Sequence, residues 1–197
     1  MRAIPSSSAL KLCVSPGVPS HQLAILLALQ RAEAPETPVV MEEVATSADL
    51  IAGVKDGRYD IGLATTVPTD EAPLWRDELA IAVPDRSPLL SYTAVPSSAL
   101  RIYPLLQSQP LACEALFGEE WRVSCQVTSY ELMIVMVAAG YGVGIGSRLR
   151  IEQSRNWDVV MRPLADGTFW IGTHLFRSER RDSPAIEHFV RRARKVA

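Results

Sequence analysis

The chain is poor in the residues that most often carry chemistry. It holds three histidines and three cysteines in 197 residues. His21, His174 and His188 show no metal-ligand spacing with one another or with a cysteine, so no metal site is expected. Cys13, Cys113 and Cys125 are too few and too scattered for a disulfide framework. An odd cysteine count without a secretion signal suits a reducing compartment, and a cytoplasmic location is expected. Cys125 alternates with polar neighbours on the side of Val123 and Val127, which predicts a buried apolar role. Whether Cys113 or Cys125 is redox-active stays open at this point.

Long apolar runs are also lacking. None approaches the roughly 20 residues that span a bilayer, so no membrane segment is expected. The start, MRAIPSSSALKLCV, has one arginine and no continuous apolar stretch, so residues 1–8 read as a linker or tail and not as a signal peptide. The formal net charge is −2, which leaves no global basic field for gripping phosphates. No serine sits in a nucleophile elbow, and no His–Asp–nucleophile set emerges, so no catalytic residue is assigned. Gly140, Gly142, Gly144 and Gly146 alternate, but they follow a helix and lead into a strand. A phosphate cradle needs the reverse order, and no cofactor is expected.

What is present is a regular succession of strands and helices. Leu10 to Val14 reads as a strand that ends in the breaker run Ser15-Pro16-Gly17-Val18-Pro19-Ser20. His21 to Ala34 has helical spacing, with Ser20 as its expected cap. Val39 to Val44 is a strand, Ala48 to Asp56 a helix capped at Thr46 or Ser47 and stopped by Gly57, and Ile61 to Ala64 a strand. This β-α-β-α-β order predicts parallel strands with crossover helices. Leu79 to Val83 is another strand, closed by Pro84. Further on come a strand at Ile102 to Leu106, a helix at Leu111 to Phe117 and a strand around Cys125. Ser129 caps the apolar helix Tyr130 to Ala139, stopped by Gly140; Val143 to Ile145 is a strand and Leu149 to Gln153 a short helix. Val159 to Leu164 and Phe169 to Phe176 read as strands joined by the turn at Ala165-Asp166-Gly167. Ala185 to Val196 closes the chain as a helix, with Arg191, Arg192, Arg194 and Lys195 on an expected solvated face.

In open α/β sheets ligands bind beyond the carboxyl ends of the strands. Four loops stand at such ends: Ser15 to Ser20, Thr46-Ser47, Thr65-Thr66 and Thr128-Ser129. Their hydroxyls, and the helix N-termini that follow three of them, suit a carboxylate or another anion. Each serine or threonine also fits a plain helix cap.

The stretches LKLCVSPGVPSHQLAILLALQRAEAPETPVVMEEV, SADLIAGVKDGRYDIGLA, VTSYELMIVMVAAGYGVGIGSR and SPAIEHFVRRAR, in this order and spacing, resemble the effector-binding domain of LysR-type transcriptional regulators. The resemblance covers nearly everything from Ala9 onward. It implies an α/β fold of the type 2 periplasmic-binding-protein class, with two Rossmann-like lobes joined by two crossover strands. Lobe I would take residues 9–83 plus 162–197, and lobe II residues 84–161. The implied function is ligand sensing in an interlobe cleft by a regulatory domain, with an organic acid as the class its loops suit. The implied ligand contacts are Ser15, Pro16, Gly17, Val18, Thr46, Thr65, Thr66, Thr128 and Ser129. The family also implies a homodimer or homotetramer. DNA would be reached only through an N-terminal winged helix-turn-helix that these 197 residues do not contain. Pro16 and Pro19 lack N–H donors, which puts some family contacts of the first loop in doubt. Three alternatives stay open: a free-standing solute-binding protein of this fold, a small enzyme built on it, and a ligand-free domain used only for oligomerisation or contact with a partner.

Overall fold

The computed structural model describes residues 9–66, 72–108, 123–127, 129–154 and 157–196. Within these, the first elements are β1 (Leu10–Val14), α1 (Ser20–Glu33), β2 (Val39–Glu43), α2 (Ser47–Lys55), β3 (Ile61–Thr66) and β4 (Trp75–Pro84). A 3₁₀ turn (Pro88–Ser91), α3 (Ser97–Leu100), β5 (Leu105–Gln107), β6 (Val123–Gln126), α4 (Tyr130–Ala138) and β7 (Val143–Ser147) follow. The chain then forms α5 (Arg148–Gln153), β8 (Val159–Arg162), β9 (Trp170–Arg177) and α6 (Pro184–Lys195). It divides into two compact units, residues 1–75 with 172–197 and residues 76–171. The divisions fall inside β4 and β9, whereas the sequence reading has its breaks at 83/84 and 161/162, near Pro84 and Met161.

In unit 1 the strands lie in the order β2-β1-β3-β9. β1 pairs in parallel with β2 and β3, as β-α-β-α-β units require, and β9 returns antiparallel to β3. Side chains alternate across this sheet. On one face Leu10, Leu12, Ile61 and Leu63 pack with Leu26 of α1 and with Ile186 and Phe189 of α6. On the other, Cys13 and Ala64 meet Leu50 and Val54 of α2. Each such fully buried aliphatic or aromatic side chain is worth about 1.5–3 kcal/mol. Gly62 sets the spacing of the second face, because a Cβ there would stand 2.4 Å from Leu50 Cδ2.

The end of α6 departs from the expected solvated face. Arg192 is buried, donating from Nε to Glu33 at 2.9 Å and from Nη1 to Gln30 Oε1 at 2.9 Å, so it fastens α6 to α1. Its hydrogen bond holds the Glu33 carboxyl below the ordinary range. Arg191, Arg194 and Lys195 do lie on the exposed side.

In unit 2 the order is β8-β4-β7-β5-β6. β4 runs antiparallel to both β7 and β8, while β5 runs parallel to β6 and β7. Leu79, Ile81, Val83 and Ile145 face one core; Ala80, Ala82 and Leu106 face the other, under Met133, Ile134 and Val137 of α4. Two of the alternating glycines are packing positions. A Cβ on Gly142 would lie 2.3 Å from Pro104 O, and one on Gly144 3.1 Å from Val137.

Several sequence expectations need correction. β8 and β9 do not form a hairpin, because β8 pairs with β4 and β9 with β3. The run from Ile102 extends as strand only over Leu105–Gln107; Ile102 itself is 83% exposed. Cys125 is half-buried, since β6 is the last strand in its order and has a neighbour on one side only. The helix expected over Leu111 to Phe117 lies outside the described residues.

Candidate functional site

The ligand loops foreseen in unit 1 come together at the carboxyl ends of β1 and β3. Ser15-Pro16-Gly17-Val18 forms a tight turn closed by the Val18 N–H on Ser15 O at 3.5 Å. Proline at its second position and Gly17 at φ +89° at its third are the pattern of a type II turn. Ser15 is buried, and its Oγ accepts the Thr65 N–H at 3.1 Å. Thr65 Oγ1 donates to Pro16 O at 2.9 Å, so the β1 and β3 loops are tied in both directions. Ser47 Oγ donates to Thr65 O at 3.0 Å and brings the start of α2 to the same place. Thr46 is the N-cap of α2: its Oγ1 accepts the Asp49 N–H at 3.1 Å and donates to the Asp49 carboxylate at 2.7 Å. The hydroxyl thus both caps the helix and holds the Asp49 carboxylate. Thr66 is the last residue of β3.

The start of α1 differs from that of α2. Its N-cap is Pro19, and no side chain caps it; the expected Ser20 cap is therefore corrected, Ser20 being the first helical residue. Proline offers no side-chain acceptor, so the first turn of α1, which follows the Ser15–Val18 turn, has no side-chain cap. Sequence reasoning missed this uncapped start, although Pro19 ahead of the helix was its visible signal. It also missed three buried polar atoms of unit 1 without a hydrogen-bond partner: Gln22 Oε1, in the first turn of α1, the Tyr59 hydroxyl and Trp75 Nε1. A buried donor or acceptor left unpaired costs about 1–3 kcal/mol.

In unit 2, Ser129 caps α4, its Oγ accepting the Leu132 N–H at 3.1 Å. Thr128 lies outside the described residues. Around this helix start the contacts are charged. Arg150 lies 4.0 Å over the Tyr130 ring and 3.0 Å from the Glu131 carboxylate, and the Tyr130 hydroxyl meets Ser154 Oγ at 3.1 Å. Glu131's own backbone N–H, helped by Arg150, lowers its carboxyl pKa. Arg148 bridges Glu78 at 2.9 Å and Glu152 at 3.2 Å. Burial pushes the neighbouring Asp77 carboxyl up, against a hydrogen bond from Ser147.

Among the described residues no group of three histidine, cysteine, aspartate or glutamate side chains is placed to hold a metal. Among them too, no helix is long and apolar enough to cross a membrane. The unit 1 loops thus form a hydroxyl-lined platform beside the start of α1, with the Asp49 carboxylate held on Thr46. Chemically, that suits binding an anion or a polar small molecule.

Comparison with known proteins gives the arrangement its context. The profile described as the LysR substrate binding domain matches residues 5–197. Among curated proteins, no sequence matches. Among solved structures, the reduced form of OxyR superposes with a TM-score of 0.79 at 21% identity, over 97% of this chain and 96% of that one. The effector-binding domain of QuiR, in complex with shikimate, gives 0.77 at 18% identity over 96% and 97%. A full-length OxyR variant from Pseudomonas aeruginosa gives 0.74 at 19% identity, over 99% of this chain and 69% of that longer one. These likenesses show the type 2 periplasmic-binding-protein-like fold. With the profile matched over almost all of its length, the chain belongs to the LysR substrate-binding domain family, the ligand-sensing regulatory domains of LysR-type transcriptional regulators.

Proposed function

We propose that this domain senses a small organic acid, with its carboxylate at the uncapped start of α1. The observation that carries this reading is the contrast between helix starts. The two longest other crossover helices are capped by Thr46 and Ser129, while α1 has no side-chain cap and follows a turn locked by Ser15 and Thr65. A helix N-terminus carries about half a positive charge, and its N–H groups are ready donors. In unit 1 the residues proposed for ligand contact are Ser15, Pro16, Gly17, Val18, Thr46, Thr65 and Thr66; Thr128 and Ser129 are proposed as further contacts. The QuiR neighbour holds shikimate, a hydroxylated carboxylic acid, which fits this ligand class.

Binding shifts the domain between two conformational states. A ligand shifts such an equilibrium only through its differential affinity for the two states. The role is regulatory, not catalytic, and belongs in the cytoplasm. The output passes to DNA through an N-terminal winged helix-turn-helix joined to this domain in the complete regulator. Exposed apolar residues suit a homodimer or homotetramer: Ile25 on α1 and Val40 and Met41 on β2 in unit 1, Leu132 and Val135 on α4 in unit 2.

A thermal-shift panel of small organic acids, shikimate included, followed by calorimetry on any acid that stabilises the chain, tests the reading. Thr128→Ala and Ser129→Ala are expected to weaken binding of that acid about tenfold each, the loss of one hydrogen bond to a charged group. Unchanged affinity in both variants removes the assignment of the second loop. Failure of every carboxylate in the panel, with binding of an uncharged compound instead, removes the organic-acid reading.

A further inference from the structure

Unit 2 holds a cavity of about 590 Å³ far from the start of α4, at the opposite end of that helix and of the parallel strands β5 and β7. This lies within the roughly 300–1,000 Å³ typical of small-molecule sites. Its walls come from the end of β4, the residues before β5, the residues before β8 and the end of α4.

Three independent features of the lining agree in sign. Two acidic residues, Asp85 and Asp158, line it, and their backbones are tied by the Asp85 N–H on Asp158 O at 3.0 Å. The carbonyl end of α4 opens on it through Ala138 and Ala139. Gly140, at φ +81°, closes α4 with a Schellman motif in which Gly140 and Tyr141 donate to Val137 O and Met136 O. That motif leaves the last two carbonyls, of Ala138 and Ala139, facing outward at the negative end of the helix dipole. Tyr103 adds an aromatic ring, and Pro104 an apolar wall. Carboxylates, helix carbonyls and an aromatic face all favour a positive charge. The protein's own cation here, Arg86, is 94% exposed and 3.9 Å from Asp85, a loose pair that a ligand can replace.

We propose that this cavity is a second binding site, for a small organic cation of the amine class, separate from the loops assigned to the acid. An ammonium group sits between Asp85 and Asp158 under the end of α4, and the apolar part of the ligand lies against Tyr103 and Pro104. The proposal stands or falls without the organic-acid reading, because none of its residues is shared with those loops.

The test uses the ¹⁵N-labelled 197-residue chain, titrated with benzylamine at pH 7 and, in parallel, with benzyl alcohol, an uncharged compound of nearly the same shape. Benzylamine is expected to give saturable amide shifts at Gly140, Gly142 and Tyr103, with a dissociation constant in the millimolar range for so open a site. Asp85→Asn and Asp158→Asn are each expected to weaken it about tenfold, and benzyl alcohol to bind at least tenfold more weakly. Asp158 stands at φ +56°, a conformation asparagine also tolerates, so that variant keeps the turn. The amide spectrum itself reports whether each variant is folded. Equal binding of the alcohol, unaltered affinity in both asparagine variants, or shifts confined to residues away from the cavity would overturn the proposal.

Discussion

In unit 1 the strand-end loops are held by hydroxyls bonded to backbone groups, with Ser15, Ser47 and Thr65 linking β1, α2 and β3. In unit 2 Ser129 caps the start of α4, and the surroundings are held by charge, through Arg150 on Glu131 and Tyr130 and Arg148 on Glu78 and Glu152. The first arrangement is uncharged and part-buried to buried, so salt and pH act on it weakly. The second is part-exposed, screened by ions and open to titration. A buried neutral bond fixes geometry, whereas an exposed pair tolerates movement at little cost. Unit 1 therefore supplies a preset platform, and unit 2 an adjustable one.

The sharpest way to break this contrast is to remove Ser15. Ser15→Ala leaves the buried Thr65 N–H without its acceptor and is expected to cost about 1–3 kcal/mol, read by urea denaturation. A loss below 0.5 kcal/mol would mean that the platform is not preset. Ser129→Ala removes a cap from α4 and is expected to cost about 1 kcal/mol, with faster hydrogen exchange confined to that helix. Arg150→Ala loses an exposed pair and a cation–π contact, together about 1 kcal/mol at low ionic strength. Most of that loss should vanish in 0.5 M NaCl, while the Ser15→Ala loss should not.

The smallest effects concern pH. Asp77 has its carboxyl raised by burial, so its contribution to stability is complete below the unfolded carboxylate pKa and is lost as pH rises through the folded value. Asp77→Asn is thus expected to stabilise the chain slightly at pH 7 and to be neutral at pH 3 in thermal melts. Glu131 is lowered and behaves in the opposite way. Its contribution is complete above the unfolded pKa and is lost as pH falls through the folded value. Glu131→Gln should therefore cost stability at pH 7, and the cost should shrink as pH falls through the folded value.

Much of the fold was legible because its signals are local. Thr46 before α2, Ser129 before α4, and Gly57 and Gly140 after them mark helix ends by hydrogen-bond chemistry that needs no tertiary partner. The parts that misled depend on distant partners. β4 begins at Trp75, across polar residues Arg76, Asp77 and Glu78 that show no apolar run; Arg148, some 70 residues later, pairs with Glu78 there. The turn at Ala165-Asp166-Gly167 suggested a hairpin, yet each flanking strand found a better partner far away in sequence. Arg192 reads as one more basic residue until Gln30 and Glu33 come into place around it. For the candidate site, strand order placed the loops, while the uncapped start of α1 and the unpaired Gln22 and Trp75 atoms emerge only in three dimensions.

The burial of Cys13 has a practical consequence for following this protein in solution. Its thiol, with Sγ donating to Ile61 O at 3.6 Å, is pushed up to about 12, by burial first and by Glu42 second. At pH 7–8 it carries almost no thiolate and stays silent toward alkylating dyes. Cys125, half-buried on β6, remains within reach of them. In a Cys113→Ser background a maleimide fluorophore would attach at Cys125 alone, marking unit 2 and leaving unit 1 untouched, so that the fold carries its own addressable reporter position.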